Sequence, residues 1–374
     1  MLKNTAIICE FNPLHNGHKA ILAYARAKAA ETGGAVIAVM SGNFTQRSES
    51  AVFDKYKRAE LAVRMGADAV FELPFPWCSA GGEFFALGGV GVAAGLGIDN
   101  FIFGSETGDT DYVHRAANII SDGIPDGDRK LGAAVSSDRF LAEHGLSLSS
   151  NDKLAAEYMR AAEKLGLDAE FSAYTRMTSE EVYRSASEIR KMIYSGETFD
   201  DFVPEETIKI CGKNSDVREL ALTELMFNHF RIYGASLENA FDAEGGVSER
   251  LNKAAAEARC AEEFFPLAAT KKYTNSRLRR AALFTLMGVK KPDLTSPPRF
   301  TVLLAANEKG REFLSCTKKT RSISLITKPS SFTPADEIEK RQYELWRRAD
   351  ELYTICLKKS CKAGEYMRRS PKIL

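Results

Sequence analysis

The sequence predicts an α/β fold with a parallel sheet in its front half, followed by a mostly α-helical back half that holds a small α/β piece. Three observations predict it. Short apolar, β-rich runs alternate with amphipathic helical segments from Thr5 to Phe103, the pattern of βαβ units. Clusters of polar turn residues follow those runs at Glu10 to His18, Ser41 to Arg47 and Gly104 to Glu106. Beyond Asp200 to Pro204 the pattern turns to amphipathic helices.

The elements follow in order. Thr5 to Cys9 (TAIIC) is a short buried strand, and His18 to Ala30 a helix with Ile21, Leu22 and Ala25 on one face. Ala35 to Met40 is the second strand, ended by the turn Ser41-Gly42-Asn43. Asp54 caps a helix running to Met65, with Ala59, Leu61, Ala62 and Met65 inward. Ala69 to Leu73 is the third strand, stopped by Pro74; Glu83 to Gly95 is a Gly- and Ala-rich helix suited to close packing; Asn100 to Phe103 is the fourth strand. Tyr112 to Gly145 reads as helical around a polar turn at Gly123 to Asp128, Asn151 to Leu165 as a helix, and Ala169 to Tyr174 as a strand. Ser185 to Tyr194 is a helix start. Glu219 to Phe230, Leu251 to Phe264 and Asn275 to Met287 are amphipathic helices, Arg299 to Ala306 and Ser322 to Thr327 strands, and Ala335 to Leu357 a long helix. The expected division is a domain over 1–200 and a basic, mainly helical region over 201–374.

Of 374 residues, 44% are apolar and 27% charged, as in an ordinary globular protein. The net charge of +1 conceals a split. From Lys271 to Leu374 there are 24 Lys and Arg against 10 Asp and Glu, leaving 27 against 40 before it. A basic back half points to a polyanion partner. The seven cysteines are scattered without a CxxC pair, which suits reduced thiols and argues against a zinc site. The first apolar run is too short for a signal peptide, and no stretch has the apolar length to span a bilayer. The expectation is a soluble cytoplasmic protein.

The segment with most chemistry is Asn12-Pro13-Leu14-His15-Asn16-Gly17-His18. Two of only five histidines fall in this one strand-to-helix turn. A helix N-terminus offers unpaired N–H groups and a positive dipole, so it attracts phosphate. Gly17 lets a polyphosphate approach the backbone. His15 and His18 can donate to phosphate oxygens and stabilise charge that builds during in-line attack. The same two residues could suit zinc by spacing, but no third ligand is evident nearby. Ser185-Ala186-Ser187-Glu188-Ile189-Arg190 opens another helix. It reads either as a plain capping box, Ser185 to Glu188, or as a phosphate clamp in which Ser185, Ser187 and Arg190 participate. A third cluster is Lys271-Lys272-Tyr273 with Arg277, Arg279 and Arg280. On a helix, Lys272, Ser276, Arg279 and Arg280 share a face beside Tyr273, a stripe suited to phosphates with an aromatic for an unpaired base. Lys290, Lys291, Arg347 and Arg348 widen it.

HxGH followed by a Ser-rich, Arg-bearing helix start resembles the HIGH superfamily of nucleotidyltransferases and class I aminoacyl-tRNA synthetases. Cys9-Glu10-Phe11-Asn12-Pro13-Leu14-His15-Asn16-Gly17-His18, Val39-Met40-Ser41-Gly42-Asn43-Phe44-Thr45-Gln46-Arg47, Asp54-Lys55-Tyr56-Lys57-Arg58-Ala59-Glu60, Glu72-Leu73-Pro74 and Phe103-Gly104-Ser105-Glu106 resemble more closely the bacterial tRNA(Met) cytidine acetate ligase family. The resemblance is dense in the front half. It continues sparsely through Asn151, Arg176 and Ser185 to Arg190, then at Lys271-Lys272-Tyr273-Thr274 and Ser276-Arg277-Leu278-Arg279-Arg280. One departure is the loop after Arg47, where the family often has Gly and Pro and this chain has Ser48 and Ser50.

The resemblance implies a Rossmann-like HIGH nucleotidyltransferase domain and a two-step reaction. Acetate attacks the α-phosphate of ATP, and the N4 amine of the wobble cytidine of elongator tRNA(Met) then takes the acetyl group. It places ATP against Ile7, Ile8, Cys9, Glu10, Phe11, Asn12, Pro13, Leu14, Asn16, Gly17, Lys19 and Ala20, and against Gly104, Asn151 and Arg176. From the residues alone, Gly104 is equally a plain turn and Asn151 equally a helix cap. Mg2+ is expected with the triphosphate, held mainly by phosphates and water. Phe44, Gln46, Arg47 and Lys55 are expected at the reaction centre or cytidine pocket, with Arg47 and Lys55 joining His15 and His18 as catalytic residues. Two other functions fit the motifs: an adenylyltransferase for a small cofactor precursor, and a non-catalytic RNA-binding protein. The basic back half disfavours the first and the intact histidines the second.

Overall fold

The structure, a computed structural model, describes residues 3–123, 133–175, 184–234, 241, 243, 246–270 and 272–374. Its centre is one twisted sheet in the order β5-β4-β1-β2-β3-β6-β7, with β8 also on β6. β1 (Thr5–Cys9), β2 (Val36–Ser41), β3 (Ala69–Leu73), β4 (Asn100–Ser105) and β5 (Glu170–Thr175) run parallel. α1 (Asn16–Thr32), α2 (Lys55–Arg64), α3 (Gly82–Gly95), α4 (Thr110–Asp122) and α5 (Ala133–Glu143) fill the connections, and α6 (Ser150–Lys164) packs on α3 and α4. The polar turn expected at Gly123 to Asp128 lies, beyond Gly123, outside the described residues. β2 and β3 are buried at every residue, which accounts for their unbroken apolar runs.

Close packing against α3 depends on its glycines. A Cβ at Gly88 would lie 2.5 Å from Trp77 Cβ, and one at Gly89 2.8 Å from Ile8 Cδ1. Any larger side chain would push the helix off the sheet.

The strands after residue 300 do not form a piece of their own. β6 (Phe300–Ala306) pairs antiparallel with β3 and extends the central sheet. β7 (Ser324–Ile326) and β8 (Lys372–Ile373) pair parallel with β6. Asp68 secures this junction. Its carboxylate takes two bonds from Arg26 of α1, at 2.7 and 2.8 Å, one from Val36 N and one from Asn307 Nδ2.

After α7 (Ala186–Ser195) the expected boundary at Asp200 to Pro204 falls on a short 3-10 turn, Asp200–Phe202, followed by α8 (Glu205–Cys211). α9 (Ala221–Tyr233), α10 (Val247–Glu257), α11 (Ala261–Ala268) and α12 (Asn275–Met287) then pack together. The single helix expected over Leu251 to Phe264 is therefore two. Ala258 and Cys260 are extended, with ψ of 135° and 170°. Arg231 supplies the reason, because its guanidinium donates to the carbonyls of Ala255 and Ala258 and replaces the helical bonds those groups would accept. α13 (Glu308–Cys316) follows β6. The last long helix, α14 (Glu337–Cys356), turns Leu345, Trp346, Ala349, Asp350 and Tyr353 inward. It docks on the front half, where Tyr353 Oη donates to the Ala51 carbonyl at 2.9 Å. Among the described residues no helix is long and apolar enough to cross a membrane.

Candidate active site at the carboxyl ends of the strands

In open α/β sheets, ligands bind beyond the carboxyl ends of the strands. A cleft of about 570 Å³ lies there, formed by the ends of β1 and β4 and the starts of α1, α6 and α7. Its floor begins where β1 leaves the sheet. Phe11 adopts a φ of 49°, rare for a bulky residue, and buries its ring edge-on to His18 at 5.1 Å. The Asn12–Pro13 peptide is cis, and Asn12 Oδ1 accepts the Val52 N–H at 2.8 Å. His15 then caps α1.

The cap is reciprocal. His18 N donates to His15 Nδ1 at 3.4 Å, and His15 N donates to His18 Nδ1 at 3.3 Å. The rings stack with centroids 3.7 Å apart. Because Nδ1 accepts in both, each neutral ring carries its proton on Nε2. The spacing of three residues therefore creates two oriented Nε2–H donors at a helix N-terminus, and both rings line the cleft. This arrangement favours an anion in which negative charge is developing.

Arg58 holds the surrounding backbone. It is fully buried, and its guanidinium donates to the carbonyls of Phe53 at 2.9 Å, Glu10 at 2.6 Å, Ser41 at 3.2 Å, and Gly42. One side chain thus ties the end of β1 to the end of β2. On the opposite wall Ser185 caps α7 and forms a reciprocal box with Glu188. The Ser185 hydroxyl and N–H hold the Glu188 carboxyl below its ordinary value. The capping-box reading of this segment is realised, and Ser185, Ser187 and Arg190 also line the cleft. Arg190 donates to the Asn12 carbonyl at 3.0 Å and lies 3.6 Å from Glu49.

The cleft gathers His15, His18, Arg47, Ile7, Ile8, Cys9, Glu10, Phe11, Asn12, Gly17, Ala20, Gly104 and Asn151. Asn151 is not the helix cap, which is Ser149; its Nδ2 donates to Glu106 at 2.6 Å. Pro13 and Leu14 are buried behind the turn, Asn16 turns its side chain to the Asp201 carbonyl at 3.0 Å, and Lys19 is exposed, all four outside the cleft lining. Arg176 and Lys271 lie outside the described residues.

Lys55 corrects its expected place. It is fully buried, with Nζ 2.9 Å from Glu72 Oε2 and 2.7 Å from Asp350 Oδ2, and 4.8 Å above the Trp346 ring. Burial opposes its charge, but the Asp350 and Glu72 carboxylates prevail and hold its pKa above the ordinary value. It fastens α14 to the sheet and cannot reach the cleft. Phe44 is likewise in the core, edge-on to Phe75 and Tyr353. Gln46 and Arg47, on the same loop, do reach the cleft.

The basic cluster is also rearranged. Lys272 and Tyr273 precede the cap Thr274, so they share no helical face with Arg279 and Arg280. Tyr273 is buried, with Lys272 Nζ 5.1 Å and Arg277 5.6 Å from its ring, and it offers no open face to a base. Arg279 lies 4.5 Å over Phe265, and Arg280 donates to the Ser79 carbonyl at 3.2 Å. Sequence reading missed Phe85, Leu154, Tyr158 and Tyr174, which line the cleft from α3, α6 and β5. Their apolar periodicity reads as core, and only the placement of those elements around the cleft shows otherwise.

A strand-turn-helix with two histidines in a cap at the carboxyl end of a central parallel strand defines a nucleotidyltransferase of the HIGH class. The family model described as HIGH Nucleotidyl Transferase matches residues 2–368. A tRNA(Met) cytidine acetate ligase of Caldanaerobacter subterraneus subsp. tengcongensis is 32% identical, over 94% of this chain and 95% of its own. That of Listeria monocytogenes is 31% identical over 98% of each. The crystal structure of Thermotoga maritima TmcAL bound with alpha-thio ATP superposes with a TM-score of 0.88 at 28% identity, over 100% of this chain and 99% of that one. The chain belongs to the tRNA(Met) cytidine acetate ligase family.

Proposed function

We propose that the protein is an ATP-dependent ligase that activates acetate as acetyl-adenylate and transfers the acetyl group to N4 of the wobble cytidine of elongator tRNA(Met), giving N4-acetylcytidine. The observation that carries this reading is the reciprocal histidine cap at the start of α1, whose two rings line a cleft at the strand ends in a chain of this family. MgATP is the substrate. Its metal is held by phosphate oxygens and water, and its phosphates lie over Gly17 and the start of α1. The nucleoside lies against Gly104, Asn151 and the end of β5. A carboxylate oxygen of acetate attacks the α-phosphorus in line with departing pyrophosphate. His15 and His18 stabilise the charge that spreads over the phosphoryl oxygens. Arg47, exposed at the rim, neutralises the incoming acetate.

The tRNA then meets a basic surface. Lys290, Lys291, Arg347, Arg348, Lys358 and Lys359 are exposed, and these carry the phosphate contacts together with Lys271, Lys272 and Arg277. The work of such an enzyme lies in the cytoplasm. Incubation with ATP, labelled acetate and elongator tRNA(Met) tests the reading. Labelled N4-acetylcytidine is the expected product, and folded protein that yields none would reject it.

A further inference from the structure

Amide formation leaves one task unassigned. The N4 lone pair of cytidine is shared with the ring, so the amine is a weak nucleophile and must lose a proton as it bonds to the acyl carbon. Nδ1 of each histidine is occupied by a backbone N–H, and each Nε2–H serves phosphate. Among the described residues two carboxylates line the cleft, Glu10 and Glu106. Glu106 is committed to the nucleoside side, where it accepts from Asn151 Nδ2 at 2.6 Å and from Ser149 Oγ.

Glu10 is placed differently. It follows β1 directly and stands between the histidine turn and the loop that carries Gln46 and Arg47. Arg58 grips its main-chain carbonyl at 2.6 Å, and the Gln46 N–H holds its Oε1 at 2.7 Å. No described residue donates a hydrogen bond to Oε2. Burial pushes the carboxyl above its ordinary value; the Gln46 N–H, Arg190 and Arg58 oppose the rise, and Glu49 adds to it. Cys9 beside it, Cys78 and Tyr158 from α6 are further titratable groups that interact with it. The carboxylate is thus oriented by backbone and left with one oxygen for a ligand.

We propose that Glu10 is the general base of the transfer step: its Oε2 accepts a hydrogen bond from the cytidine N4 amine and takes the N4 proton as that nitrogen attacks acetyl-adenylate. The inference rests on the function proposed above. The N4 lone pair forms the bond to the carbonyl carbon. The bond from that carbon to the phosphate oxygen breaks, and its electron pair leaves with AMP. The N4 proton passes to Glu10 and then to solvent. The same acceptor selects the base, because cytidine presents an amine donor where uridine presents an acceptor that a carboxylate repels.

The test uses the full chain and the Glu10→Gln and Glu10→Asp variants. Acetate-dependent exchange of pyrophosphate into ATP, without tRNA, reads adenylate formation; single-turnover acetylation of tRNA(Met) reads transfer. In Glu10→Gln the fall in transfer exceeds the fall in exchange by about 100-fold or more. The acidic limb of the transfer rate, which lies above the ordinary carboxyl value of 4.5 in the unmodified protein, disappears. Glu10→Asp restores part of the transfer. Equal losses in both assays, or transfer that persists in Glu10→Gln, would overturn the role of Glu10. An unmodified protein that performs neither exchange nor acetylation would instead overturn the function on which it rests.

Discussion

Arg58 and Lys55 lie three residues apart on the same helix, both fully buried, and they do different work. Arg58 commits its fork to four backbone carbonyls, three at the ends of β1 and β2 and that of Phe53 before α2. Replacing it with Met removes those donors and leaves buried carbonyls unsatisfied. We expect Arg58→Met to cost about 3–5 kcal/mol in denaturant unfolding, since each orphaned group carries about 1 kcal/mol or more. A loss below about 1 kcal/mol would mean that water or a backbone shift replaces the guanidinium. The place of the histidine pair was legible at this scale, because a strand-to-helix turn after the first parallel strand brings both residues to the cleft. The fate of Lys55 was not. Its partners Glu72 and Asp350 are 17 and 295 residues away in sequence, and nothing in the local pattern marks Lys55 as buried. The reversal at Tyr273 has the same cause: the cations beside it cover its ring.

Among elements, the alternation of β-rich runs and helices was readable because β1 to β4 are mostly buried strands, and His15 and Asp54 cap the first two helices that join them. The pairing of β6 with β3 was not, since an apolar run such as FTVLLAA fits a new sheet as well as an old one. Asp68 fixes the choice by joining α1, β2 and the end of β6. Burial raises its carboxyl, but the bonds from Arg26, Val36 N–H and Asn307 prevail and hold it below its ordinary value of 3.8. A depressed carboxyl stabilises the fold above the unfolded pKa and loses that contribution as pH falls. Asp68→Asn should therefore destabilise the protein at neutral pH by about 2–4 kcal/mol. The variant should also lose stability less steeply than the unmodified chain below about pH 4. Urea titrations across pH check both; parallel curves would assign the junction to packing alone.

At the scale of the molecule, the acidic front and basic back are not two separate bodies. α14 docks on the front half through Lys55, Asn43 and Ala51, so the basic surface of its outer face is fixed relative to the cleft. In the function proposed above, this surface is where the phosphates of the tRNA are held. Arg347 and Arg348 are exposed on that face. Replacing both with Ala should weaken tRNA binding and reduce the slope of log K against log salt by about 1–2, as read by filter binding at several salt concentrations. An unchanged slope would move the phosphate track elsewhere.

In the proposed reaction an acetate oxygen attacks the α-phosphorus of ATP in the cleft of His15 and His18. That attack is tested most directly with acetate carrying 18O in both oxygens. After one round of tRNA acetylation the AMP should bear a single 18O, carried over when the adenylate is consumed. AMP without label, or ADP as the nucleotide product, would contradict it.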